Sequence, residues 1–130
     1  MRFFRVRSSL GPEALRRALE DADALAISEK AAGSEQEVDL ALHLAEDAFE
    51  KGKNIGRKLK YEFILWLAGK RDIKSAMEAT APGPGEDFFV ALFSGGEGAL
   101  EKIGATRLPL GLKKTADPLR LERISLSRIK

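Results

Sequence analysis

The segment from Leu59 to Ala68 restricts the possible folds of this chain most strongly, because it is apolar on most of its sides. A helix that is apolar all round is stable only when other elements bury it. Gly69 follows directly, at the position where a helix C-terminus favours glycine. The segment therefore predicts a central buried helix, although a run of this length is also compatible with a strand.

A second helix is predicted from Gln36 to Lys51, where apolar residues recur at helical spacing. Ser34 precedes it and Glu37 stands three residues later, which is the pattern of a capping box. Gly52 follows at the C-terminal end. Shorter helices are predicted near residues 13–19, 73–77 and 97–103, and an arginine-rich amphipathic helix is predicted after Asp117, with Pro118 at its first position.

Four short segments have the features of strands. They are Arg2 to Arg7, Ala24 to Ile27, Phe88 to Phe93 and Arg107 to Leu110. The apolar run from Phe88 predicts a central strand, whereas Pro109 restricts the last segment to a sheet edge. The sequence thus predicts a helix-rich α/β (α+β) fold with a small mixed sheet, and its 130 residues fit one domain over residues 1–130.

The composition excludes several classes of function. The chain has no cysteine and one histidine, His43, so disulfides, thiol chemistry, a typical zinc site and a histidine-based triad are not expected. We expect neither a metal nor another cofactor. No stretch reaches the roughly 20 apolar residues that a membrane span needs, and no secretory signal precedes the first strand, so a cytoplasmic setting is expected.

The net charge of +2 hides two segments of opposite sign. Residues 13–50 carry three basic and eleven acidic side chains, whereas residues 51–74 carry eight basic and two acidic ones. The two segments are therefore net −8 and net +6. Such segments are either solvated faces of a globular protein or, for the basic one, a binding surface for an anion.

The segment from Ala48 to Ala76 resembles one known family, the kinase-binding accessory subunit of the KEOPS tRNA-modifying complex. Members share a helix ending in a small-x-x-x-G-x-N-I pattern, a basic turn, and then L-x-x-E-x-L-x-Y-L-x-G-x-R-Q-I-x-x-A. The matching residues here are Gly52, Asn54, Ile55, Leu59, Glu62, Leu65, Leu67, Gly69, Arg71, Ile73 and Ala76. Asp72 stands where the family usually has glutamine, and Trp66 stands in place of the usual tyrosine.

The resemblance implies a non-catalytic subunit of an archaeal or eukaryotic-type complex. This complex places a threonylcarbamoyl group on the adenosine beside the anticodon of certain tRNAs. In that family the subunit binds an atypical small protein kinase and holds the tRNA acceptor end with its single-stranded CCA tail, while catalysis belongs to other subunits. The partners expected here are therefore the kinase, the tRNA and, indirectly, the other KEOPS subunits.

A single-stranded RNA end is bound by cations against its phosphates and by stacking or hydrogen bonding against its bases. The predicted RNA-binding residues are Lys51, Lys53, Asn54, Arg57, Lys58, Lys60, Lys70, Arg71 and Lys74. Among them, Asn54 has an amide that can pair with a base edge, and Gly56 beside it would let a backbone approach closely. Alternatively, Asn54 is a helix cap and the lysines are ordinary solvated charges. Glu62 is either exposed or caps backbone amides.

Kinase binding requires an exposed apolar patch. The C-terminal helix offers more apolar residues than one narrow stripe needs, so it is the first candidate for the kinase contact. The residues concerned are Leu119, Leu121, Ile124 and Leu126, followed by Ile129. This helix could equally cap the domain's own core, and the acidic first half of the chain could instead face a basic kinase lobe.

Two other functions are alternatives. The run Gly95-Gly96-Glu97-Gly98 suggests a phosphate loop, but it lacks the Lys-Ser/Thr ending of a P-loop and does not match the dinucleotide spacing. A strand-to-helix turn explains it better, so we expect no enzyme. A protein-only adaptor that regulates a kinase without touching RNA would make the basic segment incidental.

Overall fold

The fold was obtained as a computed structural model, and it describes residues 1–128. Within them lie six helices and four strands, which confirms the predicted helix-rich α+β class. The helices are α1 (Pro12–Glu20), α2 (Glu35–Glu50), α3 (Leu59–Ala68), α4 (Ile73–Thr80), α5 (Gly98–Lys102) and α6 (Pro118–Leu126). The strands are β1 (Arg2–Arg7), β2 (Ala24–Ser28), β3 (Phe88–Leu92) and β4 (Thr106–Leu108).

Two compact units make up the described chain. The sheet unit comprises residues 1–29 and 81–111, and the helical unit comprises residues 30–80 together with the chain from Leu112 onward. The assignment of residues 1–130 to one domain stays a prediction. In the part of the chain that the structure describes, no helix is both long enough and apolar enough to span a membrane.

The strands of the sheet unit lie in the order β2-β3-β1-β4. β3 is an interior strand, as predicted, and all of its five residues are buried. β4 lies at an edge, also as predicted, but it ends at Leu108, directly before Pro109, and does not continue to Leu110. The prediction of a mixed sheet is wrong, because every pair of neighbouring strands in the sheet is antiparallel. β1 and β2 run in one direction and β3 and β4 in the other, and in this order no strand lies beside one that runs the same way.

One face of this sheet forms the core of the sheet unit. Val6, Val90 and Leu92 point to it, since alternate residues of a strand share a face. α1 covers this face with Leu15 and Leu19, which stand four residues apart and therefore on one side of the helix. The buried side chains therefore recur at every second residue in the strands and at every fourth residue in α1, as the sequence pattern indicates.

The helical unit is built around α3, which packs against α2, α4 and α6. Every residue from Glu62 to Ala68 is buried, so the helix that is apolar on most sides is surrounded as predicted, and the strand alternative is excluded. α3 ends at Gly69, whose φ of +66° is the left-handed conformation that favours glycine. At the start of α2, the Ser34 hydroxyl accepts a hydrogen bond from the Glu37 amide, which confirms Ser34 as the N-cap. The Glu37 carboxylate reaches back as a capping box predicts, but it accepts from the Ser34 hydroxyl, at 2.9 Å.

Candidate nucleic-acid interface

The turn between α2 and α3, residues 51–58, is referred to below as the basic turn. α2 ends with a glycine at a φ of +66°, Gly52, and the Lys53 amide donates back to the Ala48 carbonyl at 2.8 Å. Within the turn, the side-chain amide of Asn54 donates to the Gly56 carbonyl at 2.9 Å. Asn54 is thus a turn-closing residue rather than the N-cap of α3, which is Lys58.

Glu62 anchors the basic turn to α3. Its side chain is fully buried, and one carboxylate oxygen accepts hydrogen bonds from the Ile55 and Gly56 amides, each at 2.8 Å. The other oxygen accepts one from the indole nitrogen of Trp66 at 3.0 Å. Glu62 was predicted either to be exposed or to cap backbone amides, and the structure shows that it caps amides.

The charge of Glu62 is offset by an arginine from the end of α6. Arg128 Nη1 lies 2.6 Å from a Glu62 carboxylate oxygen, and the Arg128 guanidinium stacks 4.3 Å from the ring centroid of Trp66. Burial alone would raise the pKa of Glu62, but the hydrogen bonds from Arg128, Gly56 and Ile55 and the Arg128 charge together hold that pKa below its ordinary value. Glu62 is therefore a buried, ionised anchor.

Gly56 is required by the close approach of the basic turn to α3. A Cβ at this position would lie 2.7 Å from the backbone nitrogen of Glu62 and 3.0 Å from the Tyr61 carbonyl carbon. Real side chains do not tolerate such distances to backbone atoms. The close backbone contact predicted for Gly56 thus exists, but it is made to the chain's own helix.

Most of the cations predicted to bind RNA are exposed. Those on the surface are Lys51, Lys53, Arg57, Lys58, Lys70, Arg71 and Lys74. Lys51 pairs with Asp47 at 3.1 Å, one helical turn earlier. Lys53, Arg57 and Lys58 form no ion pair with another residue of the described chain. The basic turn therefore presents three exposed cations that no ion pair of the described chain neutralises.

Lys60 is the exception among the predicted cations. It is only 1% exposed, and its ammonium group lies 5.1 Å from the ring centroid of Tyr61. The first turn of α3 directs this side chain inward, since α3 is surrounded on most sides. The prediction that Lys60 belongs to an RNA-binding surface is therefore wrong.

Arg71 is linked to the basic turn through the end of α6. Its Nη2 donates a hydrogen bond to the Arg128 carbonyl at 2.9 Å, and Arg128 in turn reaches Glu62. Asp72, next in the chain, accepts from the Ser75 amide at 2.8 Å and so caps α4. Hydrogen bonds from Ser75 outweigh desolvation and, with the nearby lysines, hold the pKa of Asp72 below its ordinary value.

α6 supplies both core and surface residues. Ile124 is fully buried in the helical unit, so its prediction as a partner contact is wrong, while Leu121 is half-buried. Leu119 and Leu126 are 72% and 46% exposed and remain candidates for a partner contact. Ile129 lies outside the described residues. One side of α6 packs on α2 and α3, so the helix does cover the core of its own unit, while the kinase contact stays a prediction.

A cavity of about 410 Å³ in the helical unit adjoins the exposed Leu119. Its lining combines apolar residues, among them Leu67 and Ala79, with the cations Lys30, Arg120 and Arg123. Arg120 is held by Glu37, with Nε to Oε1 at 2.6 Å. Sequence reasoning singled out neither this cavity nor Arg128, although the abundance of arginine in the C-terminal helix was a visible signal.

The glycine cluster of the sheet unit connects β3 to α5. Gly95 has a φ of +80°, and α5 begins at Gly98 and spans five residues. The segment is therefore the strand-to-helix turn that the sequence indicated.

Comparison of the chain with protein-family models gives no match, and comparison with curated proteins gives none either.

Proposed function

We propose that this chain is the kinase-binding accessory subunit of a KEOPS-type tRNA-modifying complex, acts in the cytoplasm, and has no catalytic role of its own. In this proposal it binds the small atypical kinase of the complex and recruits tRNA through the 3′ CCA end. The single observation that carries the proposal is the basic turn. Its unpaired cations are presented by a segment anchored on Glu62, within the same stretch of sequence that resembles the family.

The basic turn has the physical properties that a single-stranded RNA end requires. Lys53, Arg57 and Lys58 are exposed and form no ion pair within residues 1–128, so they are available to phosphates. The hydrogen bonds to Glu62 fix the backbone of Ile55 and Gly56 before any ligand arrives. An ordered site loses less conformational entropy on binding, which favours affinity.

The second surface of the proposal is the free side of α6. Leu119 and Leu126 are exposed apolar residues of the kind that form the centre of a protein interface. Beside Leu119 lies the cavity with Lys30 and Arg123 in its lining, which suits a partner segment that combines an apolar side chain with carboxylates. We assign this surface to the kinase.

The RNA part of the proposal is tested by titrating the purified protein against an intact tRNA and against the same tRNA without its CCA end. We expect loss of most of the affinity when the tail is removed. The logarithm of the affinity for the intact tRNA should also fall linearly with the logarithm of the salt concentration, with a slope of about −0.7 per single-stranded phosphate contact. Equal binding of both tRNAs would mean nonspecific electrostatic attraction, and no binding would favour a protein-only adaptor.

The kinase part is tested separately with the variant L119D/L126D. Two carboxylates on the free side of α6 should abolish binding of the purified kinase subunit, because they place charge in an apolar contact. The matched control is H43D, which adds a carboxylate at an exposed position of α2. If L119D/L126D binds the kinase as tightly as the parent does, the kinase surface lies elsewhere on the chain, whatever the outcome for tRNA.

A further inference from the structure

A continuous series of contacts joins the end of α6 to the basic turn. Arg71 holds the backbone of Arg128 by its carbonyl at 2.9 Å, and the Arg128 side chain pairs with Glu62 at 2.6 Å. Glu62 then accepts the amides of Ile55 and Gly56. Two segments that are distant in sequence are thus connected through one buried carboxylate.

We propose that Glu62 and Arg128 are positioning residues for RNA binding: their buried ion pair holds the basic turn in the conformation that binds the tRNA end. The inference rests on the proposed function and adds a role for two residues that do not touch the RNA. Both side chains are largely inaccessible, since those of Glu62 and Arg128 are 0% and 13% exposed. They therefore act through the basic turn.

The ion pair is necessary because, among the described residues, Glu62 and Arg128 form an ion pair with each other and with no other charged group. Glu62 is buried, and desolvation favours its neutral form unless a cation lies next to it. Arg128 has two further nitrogens, Nε and Nη2, that are buried without a hydrogen-bond partner in the described chain. Removing one charge leaves the other buried and unpaired, which is strongly unfavourable.

Release of the carboxylate would free the centre of the basic turn. Two donors, Trp66 and Arg128, face the other carboxylate oxygen of Glu62. A neutral carboxyl group or a glutamine amide carries hydrogen at one of its two terminal atoms, so it cannot accept on both sides at once. The Ile55 and Gly56 amides then compete with these donors for one carbonyl oxygen.

The two ends of the turn stay attached, since the Lys53 amide donates to the Ala48 carbonyl and the Lys58 carbonyl accepts from the Tyr61 amide. The centre of the turn keeps the hydrogen bond from Asn54 to Gly56, which does not attach it to α3. The cations would then have to be ordered again each time RNA binds, at a cost in affinity.

A positioning role and simple electrostatics predict opposite changes in RNA affinity for the substitution E62Q. Removing a negative charge beside a basic surface should strengthen RNA binding if only electrostatics matters. It should weaken binding if the carboxylate orders the basic turn. The matched control is D72N, which also replaces an acid by its amide close to Lys70 and Lys74 and keeps a side chain able to cap α4.

The first experiment measures the affinity of the parent and the variants E62Q, R128M, R128K and D72N for intact tRNA over a range of salt concentrations. We expect E62Q and R128M to lose affinity for tRNA by about tenfold. A change of this size is usual when one site of a protein alters the affinity of another. R128K should recover part of the loss, and D72N should bind as tightly as the parent or tighter. If E62Q binds as tightly as D72N does, the positioning role is refuted.

The salt dependence separates positioning from direct contact. If Arg128 acts through the basic turn, R128M keeps the slope of the parent, because no phosphate contact is lost. If Arg128 itself binds a phosphate, the slope becomes shallower by about 0.7. That result would overturn the inference even if the affinity fell as expected.

Amide hydrogen exchange tests the ion pair without any RNA. In E62Q and R128M the amides of Ile55 and Gly56 should exchange faster than in the parent. Those of Ala41 and Ala45, which are buried in α2 of the same unit, should remain protected, which also shows that the helical unit of the variants is folded. Unchanged exchange at Ile55 and Gly56 would contradict the inference. A parent that fails to bind tRNA would refute the proposed function, and the exchange result would still decide the role of the ion pair.

Discussion

The arginines of the sheet unit and the cations of the basic turn differ in what surrounds them. In the sheet unit, Arg2 pairs with Glu97 at 2.7 Å, and Arg7 pairs with Asp87 at 2.8 Å. The other strand arginines, Arg5 and Arg107, also pair with carboxylates of that unit. In the basic turn, Lys51 pairs with Asp47, but no described carboxylate pairs with the other three exposed cations.

This difference shows that basic residues alone do not mark a nucleic-acid surface. The alternating arginines of β1 are neutralised by their own unit, and the hydrogen bond and charge of Arg7 outweigh desolvation to hold the pKa of Asp87 below its ordinary value. What attracts a polyanion is positive charge that the protein leaves uncompensated. The molecule thus contains a buried ion pair, exposed ion pairs and exposed cations without a described partner. Three sets of substitutions and a change of pH test how these differ in their effects on stability and on tRNA binding.

The largest effect on stability is expected from breaking the buried pair. E62A should lower the free energy of unfolding by about 3–5 kcal/mol, because it leaves the Arg128 charge buried and unpaired. The control is E97A, which breaks the partly exposed pairs of the sheet unit and should cost less than about 1 kcal/mol. Urea denaturation of both variants measures the difference. Similar losses for the two variants would mean that the Glu62 pair is no stronger than a surface one.

Reversing the free cations should have the largest effect on binding. We expect K53E/R57E/K58E to weaken tRNA binding by roughly hundredfold, since phosphate contacts are replaced by repulsion. The matched control R16E/R17E/K102E reverses three exposed charges of the sheet unit and should cause a much smaller loss. Gel-shift titration of both variants at one salt concentration gives the comparison. Equal losses would show that RNA binding follows net charge rather than the basic turn.

A smaller effect is expected from adding one methyl group to the basic turn. G56A places a Cβ against the backbone of α3 and should destabilise the protein by about 1–3 kcal/mol, as overpacking commonly does. Gly98, where a Cβ meets no atom within 4 Å, is the control position. Thermal unfolding of G56A and G98A measures the difference. A G56A variant as stable as the parent would show that the turn can move away from α3 at little cost.

The smallest effect is a dependence of stability on pH. The pKa of Glu62 is lower in the folded protein than in the unfolded chain, where it is about 4.3, so its contribution is complete above that pH. It is lost as the pH falls through the folded-state pKa. The difference in unfolding free energy between the parent and E62Q should therefore be constant from pH 7 to 5 and shrink below pH 4. A difference that grows on acidification would contradict the ionised form of Glu62.

The sequence predicted the elements well because their signals are local. The capping box at Ser34, the glycine at residue 69 and the proline at residue 118 each mark a helix end through their own backbone or side chain. The basic turn was located for the same reason, since its cations lie in one continuous segment.

Features that depend on distant residues were not predictable in this way. The pairing of Glu62 with Arg128 joins α3 to the end of α6, and nothing in either segment indicates the other. The inward direction of Lys60 depends on how α3 is surrounded, because an apolar helix without a polar face gives its lysine no defined exposed side. The antiparallel order of the sheet likewise follows from the position of β3, which local patterns do not show.

The position of β3 also has a consequence for biosynthesis. β1 and β2 emerge first from the ribosome, yet each finds its main partner only in β3, whose residues are made after the whole of α2, α3 and α4. Until Leu92 has left the exit tunnel, the early strands have unpaired edges, which are prone to pair with other chains. We therefore expect nascent chains that stop before β3 to be the aggregation-prone species during synthesis.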